Sequence, residues 1–216
     1  MAETTQESLM LRHRLYHEVL GPFIRLRARA AENVCVQSEN NDVIALAQEA
    51  ATAAYHFPEA IHGASAPMTE SSAEDLRQKL GDVADTRKHG VLRDPERQVR
   101  LSAALAYEVN EEQLFKYLGT QVWAENKRFG SFDLVDVIQR FIVAIGREFS
   151  LGMDIEIKLP SYDFSKQIVT YVTDKTFRAA NVRLRFFSRD ANGQLRPVDP
   201  TEVEFAVYDL KTGKSV

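Results

Sequence analysis

The sequence predicts an α+β protein: a helical bundle of about four helices with an inserted β-hairpin, followed by a C-terminal strand-rich segment. Three observations predict it. Apolar residues recur at helical spacing over 7–31, 41–57, 71–88 and 134–149, the period changes to two over 97–109, and period two returns after Gly152. With 216 residues and 44% hydrophobic content the chain buries a sizeable core. The expected division is a bundle over 1–150, with the hairpin near 97–124, and a β-rich tail over 151–216 that packs on the bundle or on a partner.

In the first helix Leu11, Leu15, Val19, Pro22, Leu26 and Ala30 share one side, and Gly21-Pro22 predicts a kink or a split. Arg14, Arg25, Arg27 and Arg29 crowd the remainder, opposed mainly by Glu18, in the most basic stretch of the chain. The second helix gathers Val43, Ala47, Ala50, Ala51, Ala54 and Phe57, small residues that admit a close neighbour, and Pro58 bends or ends it. His62 to Met68 reads as a loop. Ser71 with Glu74 resembles a capping box for the third helix, and Gly90 is placed to close it.

Val99, Leu101, Ala103, Leu105 and Tyr107 alternate with Arg100, Ser102, Ala104, Ala106 and Glu108, which predicts a strand. After Asn110 to Gln113, residues 114–124 return as its hairpin partner, with a helix as the alternative for either segment because both are rich in alanine and leucine. Asp133 then caps the clearest helix, in which Leu134, Val137, Ile138, Phe141, Ile142, Ile145 and Phe149 follow helical spacing. In the tail, Ile155, Ile157 and Leu159, then Val182, Leu184 and Phe186, then Val203, Phe205 and Val207 mark half-buried strands, with turn chemistry at Asp190 to Gly193. Arg183 and Arg185 are matched by Glu202 and Glu204 as cross-strand ion pairs.

A net charge of −4 gives no global attraction to nucleic acid or an anionic membrane, so any such partner is held by a local patch. Cys35 stands alone, which excludes an intramolecular disulfide, a CxxC redox motif and a cysteine-rich zinc site. Met1 to His17 lacks the apolar segment of a signal peptide, and the apolar run 141–145 is too short to span a bilayer. The expectation is a cytoplasmic protein with no membrane partner and no small-molecule cofactor. No P-loop, GxGxxG, GxSxG or HExxH motif occurs.

The densest chemistry lies in Asp82-Val-Ala-Asp-Thr-Arg-Lys-His89, which closes the third helix. At about 100° per residue, Leu76, Leu80 and Val83 form an apolar stripe, and Asp82, Asp85 and His89 fall on the opposite side. Those three side chains, one helical turn apart in succession, are candidate metal ligands. The alternative is a helix terminus: Arg87, Lys88 and His89 complement the dipole of the last turn, and Asp85 pairs with His89. Trp123 on the hairpin is a candidate surface for base stacking.

The order of a helical bundle, a Lys88-His89 pair closing a middle helix, a hairpin and an Asp133-Leu-Val-Asp-Val-Ile138 helix resembles a group of bacterial helical-bundle proteins with a D-x-A-[DN]-x-x-K-H signature. Those proteins are in turn similar to HEPN-type bundles. The resemblance covers about residues 8–150 and none of the tail. It implies either a non-catalytic binding or assembly module, with a protein partner or self-association, or a metal-independent ribonuclease. In the second case His89 deprotonates a ribose 2′-hydroxyl, and Arg87, Lys88 or a first-helix arginine stabilises the phosphorane. Arg14, Arg25, Arg29 and Trp123 are then the candidate contacts for RNA or for a partner.

HEPN-type ribonucleases pair an arginine with a histidine a few residues later. At the matching distances before His89 stand Asp82, Val83 and Ala84, whereas Arg12 and His17 have the spacing but lie in the first helix, about 140° apart.

Overall fold

The computed structural model describes residues 6–31, 40–62, 67–109, 115–151 and 183–198. Within them the chain is α+β, with helices α1 (Gln6–Arg14), α2 (Gly21–Ala31), α3 (Asn40–His62), α4 (Ser71–His89) and α5 (Leu134–Glu148). A π turn, Leu15–Leu20, joins α1 to α2 without a break, so these elements make four helical rods. The strands are β1 (Arg100–Val109), β2 (Phe115–Asn126), β3 (Gly130–Asp133), β4 (Arg183–Arg189) and β5 (Leu195–Val198).

Gly21-Pro22 neither breaks nor splits the first rod. Pro22 has no N–H to give and its ring crowds the preceding turn, so a regular α-helix would fail there. The chain widens instead, and the Gly21 N–H reaches back five residues to the Tyr16 carbonyl. Leu15, Val19, Phe23 and Leu26 stay wholly buried across this change of pitch.

Helix α3 also runs through its proline, to His62. Phe57, just before Pro58, is 2% exposed, and Ile61 beyond it packs on the core. Burying each such side chain contributes about 2 kcal/mol, enough to offset one missing backbone hydrogen bond.

Helix α4 starts at Ser71 without the expected capping box. Glu70 is the N-cap residue, and the Glu74 carboxylate accepts from the Met68 N–H at 3.0 Å rather than bonding back to Ser71. At the other end the Gly90 N–H donates to Thr86 O, and Gly90 has a φ of 71° that favours glycine. Helix α5 is capped by Asp133, whose Oδ1 accepts from the N–H groups of Val135 and Asp136. Its residues Leu134, Ile138, Phe141, Ile142 and Ile145 are wholly buried.

The five strands form one sheet in the order β3-β2-β1-β4-β5. Antiparallel pairing joins β1 to β2, β2 to β3 and β4 to β5, while β1 and β4 run parallel. The tail strand β4 thus extends the sheet of β1. Its end is clamped by a bidentate pair, Arg189 Nε and Nη2 donating to the two Glu108 carboxylate oxygens at 2.7 and 3.1 Å. Asp190 organises the β4–β5 turn by accepting from the N–H groups of Asn192 and Gln194.

Partners in register share a face of the sheet, so Leu101, Ala103 and Leu105 lie with Ala124, Val122 and Thr120. Val99, Val122 and Ala124 of this face belong to the same core as the helices. The register slips between Ala106 and Tyr107, leaving Leu118 as the extra residue of β2. Next to it Gly119 has a φ of 137°, and a Cβ there would stand 3.1 Å from the Ala30 carbonyl, so glycine permits α2 to end against the sheet.

The expected strands around Ile155 and Val203, the Glu202 and Glu204 partners, the turn at 110–113 and Cys35 lie outside the described residues, as does most of the expected 62–68 loop.

Candidate functional site

The Asp82 to His89 segment is assembled differently from the helical wheel's expectation. Leu76, Leu80 and Val83 face the core, but Asp82, on the opposite side of the wheel, is wholly buried as well. The reason lies beyond the helix. After Gly90 the chain doubles back along α4: Gln98 Nε2 donates to Gly90 O at 3.0 Å, and the Val99 N–H donates to Thr86 Oγ1 at 3.1 Å. This return covers the second face of α4.

It also brings a cation to the acids. Arg97 Nε donates to Asp82 Oδ1 and Arg97 Nη2 to Asp85 Oδ2, both at 2.6 Å. From β2, Asn126 Nδ2 donates to Asp82 Oδ2 at 3.0 Å, and Arg128 Nη1 stands 4.0 Å from Asp82 Oδ1. Both Asp82 oxygens are therefore satisfied, as a buried carboxylate requires. The hydrogen bond to Asp82 is the main reason that the Arg97 guanidinium is held above its ordinary pKa.

His89 takes no part in this network. It is exposed at the last position of α4, beside exposed Arg87 and Lys88, and Asp85 pairs with Arg97 rather than with His89. Among the described residues no group of three or more His, Cys, Asp or Glu side chains is arranged to hold a metal ion, so Asp82, Asp85 and His89 are not gathered into one.

The first-helix arginines do not converge on His89. Arg14 pairs with Glu18 at 2.9 Å, Arg25 with Glu49, and Arg29 with Asp42 at 3.0 Å. Helix α4 packs on α3 and α5, and α2 on α3 and β2. Trp123 donates from Nε1 to Gln121 Oε1, and the Arg185 guanidinium lies over its ring, 3.3 Å from the centroid. That ring face is occupied by a cation–π contact.

Sequence reasoning missed Arg97, Asn126 and Arg128, which complete the network around Asp82. No spacing rule links positions 15 and 44 residues apart in the chain. It also missed the outward apolar side chains of the first rod: Leu9, Met10, Tyr16 and Ile24 are between 45% and 57% exposed. Tyr16 follows Leu9 by seven residues and Ile24 follows Tyr16 by eight, a near-heptad spacing that was legible but masked by the arginines between them.

Comparison of the chain with protein-family models, with curated proteins and with solved structures finds no match.

Proposed function

We propose that this chain is a non-catalytic assembly module of a bacterial cytoplasmic system, and that it binds a second copy of itself through the first helical rod. The observation that carries this reading is the exposed apolar row Leu9, Met10, Tyr16 and Ile24. Large apolar side chains in a row, bordered by polar groups, have the composition of an interface core with its rim. Here the border carries both signs, Arg14 with Glu18 and Arg25 with Glu49. Two copies related by a two-fold axis can set arginine against glutamate on both sides of such a row.

This reading takes the four rods as a bundle with the β1–β2 pair inserted between the third and the fourth, as the sequence resemblance to non-catalytic HEPN-type bundles implies. The Asp82 network favours the non-catalytic branch of that resemblance. Asp82, Asp85 and Arg97 are engaged with one another, which leaves His89 without an orienting carboxylate among the described residues. A general base normally has such a group to fix its tautomer and position.

The ribonuclease alternative is tested by incubating the purified protein with single-stranded and structured RNA. The module reading expects the RNA to stay intact with the natural chain and with His89→Ala alike. Cleavage that disappears in His89→Ala at an unchanged Tm would overturn it and put a HEPN-type ribonuclease in its place.

A further inference from the structure

Behind the sheet bulge, α2, β1, β2 and the start of α5 line a cleft of about 150 Å³ that opens to solvent, its walls including Arg27, Ala30, Ala106, Gly119, Asp133 and Val135. A cavity near 150 Å³ accommodates about six non-hydrogen atoms. Two charges of opposite sign face it without closing on each other. Arg27 makes no hydrogen bond and no ion pair with any described residue. Asp133 directs Oδ1 to the N–H groups of Val135 and Asp136, at 2.9 and 3.3 Å, and leaves Oδ2 without a partner among the described residues.

Burial acts on both groups. Burial is the main reason that the Arg27 guanidinium sits below its ordinary pKa, only partly countered by the attraction of Asp133. Burial likewise pushes the Asp133 carboxyl above the usual carboxylate range, against its backbone hydrogen bonds. Among the described residues neither group has a counter-charge at contact distance. A simple anion would satisfy Arg27 but meet Asp133, and a simple cation would do the reverse. A molecule with both charges satisfies both.

We propose that the Arg27–Asp133 cavity binds a small zwitterion of amino-acid size, its carboxylate on the Arg27 guanidinium and its ammonium group on Asp133. A guanidinium fork suits a carboxylate, and the two oxygens of Asp133 can divide between the helix cap and the ligand's N–H groups. Ala30, Ala31, Ala106, Leu118 and Val135 line the remaining space together with Thr120 and Gln121, and a volume of about 150 Å³ keeps the ligand's own side chain short, as in glycine, alanine or serine. Gly119 is part of the site's construction, because any side chain there would displace the end of α2. The proposal is independent of the assembly reading, and either can fail alone.

Thermal unfolding with added alanine tests it, with acetate and methylamine as probes of one charge each. Alanine is expected to raise the Tm of the natural chain by several degrees, and neither single-charge probe to match it. Arg27→Met and Asp133→Asn are expected to lose that rise, the second while keeping the α5 cap, since asparagine caps as well as aspartate. No rise with alanine, an equal rise in both variants, or an equal rise with acetate would overturn the proposal. If a variant fails to fold, amide chemical shifts of the natural chain decide. Alanine must move the amides of Ala31, Gly119 and Val135, and changes confined to other amides would overturn the site.

Discussion

Asp82 carries the clearest stability consequence of any single residue. Its side chain is 1% exposed and holds Arg97 and Asn126 at once, whereas Asp85 shares only Arg97 and is 34% exposed. Asp82→Ala would strand the Asn126 amide and leave the Arg97 guanidinium with Asp85 alone, beside a buried void. The expected loss is about 3 kcal/mol, read from urea unfolding. Asp85→Ala is expected to cost no more than about 1 kcal/mol, because its pair is half in water. Equal costs for the two substitutions would contradict the network described here. The wheel angles of Leu76, Leu80 and Val83 were legible in the sequence, and those residues are buried. The burial of Asp82 was not, because it depends on a segment that returns over α4 from 15 residues further on.

Among the elements, those with a strong local period were the most legible. Helix α5 has an uninterrupted apolar stripe and an aspartate at its cap, and both the stripe and the cap are in place. Strands β1 and β2 follow from alternation, although a bulge at Leu118 shifts their register. The split expected as one outcome at Pro22 and the end expected as one outcome at Pro58 do not occur, for one physical reason. Pro22 and Pro58 each remove a hydrogen bond, but the buried residues on both sides of each hold the rod together, through a π turn in the first case. Helix–helix contact sets a further limit that propensity alone does not show. A Cβ on Gly81 of α4 would come 2.8 Å from Tyr55 Cε2 of α3, and that ring also carries the Arg77 guanidinium at 5.5 Å. Gly81→Ala gains about 1 kcal/mol of helix propensity. The displaced ring is expected to outweigh this and leave the variant about 1 kcal/mol less stable by urea unfolding. A variant more stable than the natural chain would show that α3 and α4 are less tightly engaged.

For the whole molecule, composition and period together made the α+β class legible. The parallel pairing of β4 with β1 joins residues about 80 positions apart, and no local pattern encodes it. The candidate site was legible only as a location. The sequence marked Asp82 to His89 and the first-helix arginines, and folding distributes them into separate ion pairs rather than one catalytic group. Among the described residues the large apolar side chains turned outward are Leu9, Met10, Tyr16 and Ile24 on the first rod, with Val91 and Leu195 elsewhere. In the described residues no helix is long and apolar enough to cross a membrane. The proposed assembly rests on Leu9, Met10, Tyr16 and Ile24 meeting their equals in a second copy. Sedimentation velocity over a concentration series, on the natural chain and on Tyr16→Glu/Ile24→Glu, tests it most directly. The account predicts that the natural chain shifts to a discrete dimer as concentration rises while the double variant stays monomeric and folded; a natural chain that is monomeric throughout, or a variant that dimerises equally well, would contradict it.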